Sequence, residues 1–313
     1  MNSLTKKWDI YRLTVDAVHS GMRLDQFLPL GVATLSRSLV RKVIDIGGVH
    51  INGQRIRTAS RMLASGDLVE LYLDHLPLVP WRISAQDVVF HDNYLIVINK
   101  PAMIETQPTH ARYKGTLYEA LQVYLQDPFR PHLKPVIGMV QRLDRSTSGL
   151  IVFSIHPKGH KKMTELFKDG HVDKSYLALV SGQPASASGE IRSLLARSRR
   201  ENRVHTVTAG GKLAITRYRI KSRLNDSSLL EVQILTGRSH QIRAHMSELG
   251  CPLLGDQRYG GPMVLNDMMI NRPLLHAQRL KFLHPLSAQL LEFSVPIPPD
   301  MDQALQFLKE VKR

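Results

Sequence analysis

The chain has 313 residues, 43% of them hydrophobic, and its 42 basic and 27 acidic side chains leave a net charge of +15. That supports a sizeable core in more than one domain, and so basic a globular protein points to a polyanion, with nucleic acid as the default partner. The single cysteine, Cys251, excludes an intrachain disulfide framework and cysteine-rich zinc sites. No apolar run is long enough to span a bilayer and no basic start leads into one of signal-peptide length, so a cytoplasmic protein with no membrane partner is expected.

Residues 1–18 read as an entry segment whose alternating stretch, Ile10 to Val15, makes one strand. A compact unit follows at 19–76. Leu35-Ser36-Arg37-Ser38 opens a helical pattern with Leu39, Val43 and Ile46 on one face. Ser36 or Ser38 caps it, and Gly47-Gly48 ends it. Val49-x-Ile51 alternates, and Asn52-Gly53 signals a hairpin because both residues tolerate positive φ. The turn Ser65-Gly66-Asp67 leads into a further strand, Leu68 to Leu73. Arg37 and Arg41 lie one turn apart on the exposed side of the helix, with Lys42 beside them and little acid to balance them.

With Arg23-Leu24-Asp25-Gln26-Phe27-Leu28, Ser36-Arg37, the run from Ile46 to Gly53 and Gly66-Asp67, this unit resembles the small RNA-binding domain called the alpha-L type. A small-subunit ribosomal protein shares that domain. Arg23, Arg37, Arg41 and Lys42 are therefore expected to contact RNA, while the triplet Arg23-Leu24-Asp25 as such reads as structural.

Residues 77–86, with Pro77 and Pro80, read as a linker, and a larger domain is expected over 87–313. Val88 to Phe90 and Leu95 to Ile98 flank a turn at Asp92-Asn93, and Leu117 to Leu125 carries helical spacing. Leu150 to Phe153 is a short apolar run bounded by Gly149, hence a buried strand. Ahead of it, Gln141-Arg142-Leu143-Asp144-Arg145 reads as a loop. Met163, Leu166 and Phe167 fit a short amphipathic helix, with Pro157 and Gly159 spoiling helical spacing between His156 and His160. Lys174 to Val180 is a strand, and the Ser-, Arg- and Gly-rich residues 185–212 read as an excursion facing a polyanion. Leu229 to Leu235 is a strand feeding Thr236-Gly237-Arg238-Ser239 and a helix from about His240. Leu290 to Val295 is another strand, and Met301 to Val311 a closing helix. Strands outnumber helices and short turns join them, so the fold class is α+β with a large mixed or antiparallel sheet.

Three segments in this order carry chemistry: Gln-Arg-Leu-Asp-x-x-Thr-Ser-Gly-Leu at 141–150, Lys-x-Tyr-x-Ala at 174–178 and Thr-Gly-Arg-Ser-His-Gln-Ile-Arg-Ala-His at 236–245. Together they resemble the RluA family of pseudouridine synthases. Asn99-Lys100-Pro101, Gly255-Asp256-x-x-Tyr259-Gly260 and Leu275-His276-Ala277 extend the resemblance over most of 88–296. It implies isomerisation of uridine within RNA, without metal or organic cofactor, and Asp144 as the essential residue. By the same resemblance Arg238 pairs with Asp144, Tyr176 stacks on the target base, and Arg142 contacts RNA where a nucleotide has been extruded. An ionised carboxylate can attack the anomeric carbon or remove a neighbouring sugar proton, and the residues leave both routes open. Gln141, where the family commonly has His, and the stretch 103–108 depart from the pattern and bear on substrate contacts. The spacings of the 14 histidines suggest no metal site.

Two other functions compete. An RNA chaperone or ribosome-assembly factor of the same fold would not need Asp144, Tyr176 and Arg238. A glycosidase cleaving the same bond would want a second carboxylate near Asp144, and none stands nearby in sequence. The expectation is an RNA-modifying isomerase acting as a monomer, with ribosomal RNA favoured by the N-terminal unit.

Overall fold

The computed structural model describes residues 8–198, 203–265 and 267–310. Its residues group into two units. One holds residues up to 83 together with 104–135, and the other holds 84–103 and everything from 136 on.

The first unit is built on a four-stranded antiparallel sheet. Its strands are β1 (Asp9–Thr14), β2 (Val49–Ile51), β3 (Gln54–Ile56) and β4 (Leu68–Leu73), in the order β1-β4-β2-β3. Helices α1 (Leu24–Gly31) and α2 (Arg37–Ile46) bury Leu24, Leu28, Val40, Val43 and Ile44 against Val49, Val69 and Leu71. Ser36 caps α2 by accepting from the Leu39 N–H at 3.2 Å, as the sequence suggests.

From sequence, the larger domain is expected over 87–313. Residues 104–135, with helix α3 (Leu117–Tyr124), pack with the N-terminal residues. A buried ion pair fastens them there: Arg112 forks onto Asp74 at 2.8 and 3.0 Å, and both side chains are 5% exposed. Such a pair specifies one docking register, because either partner alone would be a stranded charge.

The second unit is one large sheet. Its strands are β5 (Val88–His91), β6 (Leu95–Lys100), β7 (Gly138–Met139), β8 (Ser148–Ser154), β9 (Val172–Ser181), β10 (Ser188–Ser198), β11 (Arg203–Val207), β12 (Lys212–Leu224) and β13 (Ser227–Ile234). The hairpin β14 (Val264–Leu265) and β15 (Met268–Met269) stands apart, and β16 (Leu275–Leu283) and β17 (Leu290–Ser294) complete the set. The main path runs β11-β10-β12-β13-β9-β16-β8-β6-β5, with β17 on β16 and β7 on β8. Every pair is antiparallel except β16 with β8, which run parallel at His276–Ser148 and Ala277–Gly149. The expected α+β class with a large mixed sheet is what the chain forms. No helix among the described residues is long and apolar enough to cross a membrane.

Among the described residues, three α-helices accompany this sheet. In α4 (Pro157–Lys168), Pro157 occupies the first turn and His156 caps it by accepting from the Lys158 N–H. The helix thus begins earlier than the sequence suggests, because a first-turn proline has no helical hydrogen bond to lose. Helix α5 (Gln241–Glu248) follows β13, and α6 (Pro299–Glu310) buries Met301, Ala304, Leu305 and Leu308 against Leu177, Leu179 and Leu254. Residues 185–212, read as an excursion, lie largely within β10, β11 and the start of β12. Their polar composition hid them, since these outer strands bury few side chains. Residues 199–202 of that stretch lie outside the described residues.

The centre of the sheet depends on Gly149. Its φ is +107°, and a Cβ there would lie 2.2 Å from the Ala277 carbonyl oxygen. Gly149→Ala is expected to cost more than about 3 kcal/mol, from left-handed strain and a backbone clash together. Thermal unfolding of the variant checks this; an unchanged midpoint would mean that β8 and β16 can separate.

Candidate active site

Asp144 stands on the loop leading into β8, directly below the parallel junction. Its backbone is staked from several sides. The Asp144 carbonyl accepts from the Thr147 N–H at 3.0 Å. Lys100, fully buried, donates from Nζ to the carbonyls of Pro101 (2.9 Å) and Arg145 (3.3 Å). Arg272 donates from Nη1 to the Ser146 carbonyl at 3.0 Å, while its other nitrogens fork onto Asp300 at the head of α6 at 2.6 and 2.8 Å. Buried cations placed on carbonyl oxygens fix a loop more firmly than neutral donors do. The Asp144 side chain itself is 28% exposed, which leaves it reachable from solvent.

Tyr176 reaches the same place from β9. Ala277 pairs with Tyr176 on one side and Gly149 on the other, so Tyr176 and the start of β8 are two rungs apart. The ring is 6% exposed. Burial, and then the charge of Asp144, push its phenol well above the ordinary tyrosine range. It therefore keeps its proton at neutral pH and offers a hydrogen bond instead of acting as a base.

The guanidinium that faces Asp144 belongs to Arg243, at 3.6 Å from Nη1 to Oδ2. Arg238, expected in that place, lies exposed in the loop before α5 and donates from Nε to the Leu213 carbonyl at 2.9 Å. The correction has a local cause. Gln241, buried at the first position of α5, accepts from the Arg238 N–H (3.0 Å) and the Thr236 hydroxyl (2.8 Å), and donates to the Ile215 carbonyl and the Thr216 hydroxyl. That fixes the loop against β12 and carries Arg238 with it. Arg243, in the first turn of α5, is the one aimed at the β8 loop. Both arginines stand in one ten-residue segment, and only the helix start separates their roles.

Arg243 is held by Asp256, which accepts from Nε and Nη2 at 2.7 Å each and is 1% exposed. Burial alone would lower the Arg243 pKa; the hydrogen bonds and charge of Asp256, with the charge of Asp144, outweigh it and leave the pKa raised. Asp256 is itself pinned, because a Cβ on Gly255 would lie 2.0 Å from the Arg272 carbonyl. His240 completes the surround, with Nε2 at 3.9 Å from Asp144 Oδ2 and Nδ1 at 2.9 Å from the Tyr259 hydroxyl. Lys100, Arg243, Asp256 and Tyr259 were present in the sequence segments singled out, but none was assigned a role. Arg142 is exposed on the loop beside Asp144.

In the N-terminal unit, the expected RNA contacts surround a carboxylate. Asp25, fully buried, accepts from Arg23 Nε at 3.0 Å and from Arg37 Nη2 at 3.0 Å, and Arg41 Nε lies 3.7 Å away. Burial would raise the Asp25 pKa, but the hydrogen bonds from Arg23 and Arg37 prevail and lower it. The face read as lacking acid thus has one beneath it. The three guanidinium groups remain 36%, 50% and 59% exposed, and Lys42 is exposed beside them.

The chain is similar to known proteins. The family described as RNA pseudouridylate synthase matches residues 94–248, and the S4 domain matches residues 22–69. A relative named "Uncharacterized RNA pseudouridine synthase" from Chlorobaculum parvum is 32% identical, over 96% of this chain and 98% of its own. A relative named "Ribosomal large subunit pseudouridine synthase D" from Zymomonas mobilis is 33% identical, over 92% of this chain and 94% of its own. Among solved structures, "Human RNA Pseudouridylate Synthase Domain Containing 4" superposes with a TM-score of 0.58 at 22% identity, covering 72% of this chain and 93% of that one. That likeness is one of fold.

Proposed function

The chain belongs to the RNA pseudouridylate synthase family, whose members isomerise uridine in RNA, and on that premise we propose that Asp144 is its catalytic carboxylate and ribosomal RNA its substrate. The observation that carries the role of Asp144 is the approach of Arg243, forked on Asp256, to its Oδ2 at 3.6 Å. A guanidinium so held favours the ionised carboxylate and aims it. The reaction breaks the bond from nitrogen to the anomeric carbon, turns the uracil and rejoins it through carbon. It neither adds nor removes an atom. Asp144 can enter by attack on the anomeric carbon or by taking a neighbouring sugar proton.

Tyr176 lies beside the carboxylate with its phenol protonated, suited to stack on the uracil and to donate to a carbonyl. Arg142 projects from the same loop, where it can fill the gap left by the extruded nucleotide. Arg238 keeps a positioning role through its hydrogen bond to β12. For the substrate, the S4 match and the name of the Zymomonas mobilis relative support ribosomal RNA. Arg23, Arg37, Arg41 and Lys42 would meet its phosphates, and a cytoplasmic location goes with that substrate. Action as a monomer is part of the same proposal.

Mapping pseudouridines in total RNA from cells with and without the gene tests this reading. One or more ribosomal RNA positions are expected to revert to uridine. Reversion confined to transfer RNA would overturn the substrate, and release of free uracil by the purified protein would overturn the reaction.

A further inference from the structure

Two donors converge on one oxygen of Asp144. Arg243 and His240 both make their closest approach to Oδ2, at 3.6 and 3.9 Å. The arginine has an evident reason to be there. The histidine requires its own explanation, for it stands in a costly place. Its φ is +52° and ψ 19°, left-handed, immediately before α5, and its side chain caps no helix amide. A residue other than glycine seldom holds such a conformation unless its surroundings fix it.

Those surroundings are specific. The imidazole packs edge-on to Tyr259, ring centroids 5.7 Å apart at 80°, and Nδ1 lies 2.9 Å from Oη. Tyr259 is 2% exposed, and its Oη also accepts from the Val204 N–H at 2.9 Å. Burial raises the Tyr259 pKa and keeps the phenol protonated. The buried phenolic proton needs an acceptor, and Nδ1 at 2.9 Å supplies it, which leaves the imidazole proton on Nε2. Burial, with Arg243 and Arg258 adding to it and Asp144 opposing, pushes His240 down to about 4, so the ring is neutral near pH 7.

We propose that His240 is a positioning residue for Asp144: its Nε2–H, set by Tyr259, closes onto Oδ2 and, with Arg243, turns Oδ1 toward the sugar. This rests on the reading of Asp144 given above. Closing needs an approach of about 1 Å to reach hydrogen-bond distance, within what an active site gains when substrate excludes water. A neutral donor suits the task. It orients the carboxylate without adding a further cation, which would hold the negative charge more tightly and blunt its reactivity.

The experiment uses the full chain and a stem-loop carrying a uridine mapped as above. It compares His240→Asn and His240→Gln with wild type and with Asp144→Asn. Asparagine tolerates the left-handed backbone, but its amide reaches only the place of Nδ1; the glutamine amide reaches that of Nε2. His240→Asn is expected to lower the single-turnover rate roughly 10- to 100-fold, the worth of one hydrogen bond to a charged group. RNA affinity and the unfolding midpoint should stay at wild-type values, and His240→Gln should recover most of the rate. Equal rates for the two variants would overturn the proposal, as would a loss of rate matched by a loss of affinity or of thermal stability. If Asp144→Asn is inactive while His240→Asn turns over normally, only this inference falls. If Asp144→Asn itself retains its rate, the underlying reading falls.

Discussion

Asp144→Asn is expected to lower the rate of isomerisation by about 10,000-fold or more, the range seen when the group doing the chemistry is removed. RNA affinity should change by less than about threefold, because phosphate contacts dominate binding and Asp144 makes none. The substitution is nearly isosteric. The Thr147 N–H bonds to the Asp144 backbone carbonyl, so the loop retains that contact. The check is single-turnover conversion alongside an equilibrium binding curve on the same RNA. Asp25→Asn provides the contrast, since that carboxylate lies under arginines of the other unit and takes no part in the chemistry. A substantial residual rate in the Asp144 variant would remove the central assignment.

Arg243→Met is expected to cost roughly 100- to 1,000-fold in rate, as losing one preorganised donor to a reacting anion typically does. It should also destabilise the protein, for Asp256 would be left buried and unpaired at 1% exposure. That penalty is about 3–5 kcal/mol. The two effects can be separated by adding Asp256→Asn, which removes the stranded charge; stability should return and activity should not. Arg238→Met removes a single hydrogen bond to the Leu213 carbonyl and should cost less than about tenfold. Kinetics of the two arginine variants side by side decide the matter, and the reverse order would mean that the guanidinium groups exchange places when RNA binds.

Asp144 and Tyr176 stood out in the sequence through the order of the segments that hold them, 141–150 and 174–178. The short apolar run after Gly149 marks a strand with Asp144 on the loop ahead of it, and the run from Tyr176 to Val180 marks a second strand. Arg243 could not be told from Arg238, because their difference lies in where α5 begins, and the buried Gln241 sets that start through bonds to β12, about 25 residues away. The arginines around Asp25 were hidden for a related reason. Arg37 is 12 residues from Asp25 and on another helix, so periodicity along α2 shows a basic face and nothing of the carboxylate below it. Strands β10 to β12 were missed because their outward positions are rich in Arg, Lys and Ser and their inward ones mix small and polar residues with apolar ones, so the period of two is masked. The docking of 104–135 is made by long-range contacts, among them Arg112 with Asp74 and the Tyr113 and Lys114 amides on the Ile46 carbonyl, which have no local signature.

The hold of Arg272 on the Ser146 carbonyl has a bearing on the order of synthesis. Arg272 is oriented by Asp300, so a loop near the middle of the chain receives its last support from a residue made almost at the end. At roughly 5–20 residues per second, a ribosome needs about ten to thirty seconds to go from Asp144 to Asp300. During that interval the nascent chain can already form β8, but the Ser146 carbonyl lacks its oriented donor. A chain aborted before α6 would carry Asp144, Tyr176 and Arg243 and still hold the loop loosely. The last support of this loop thus arrives only when the final helix of the sheet unit is made.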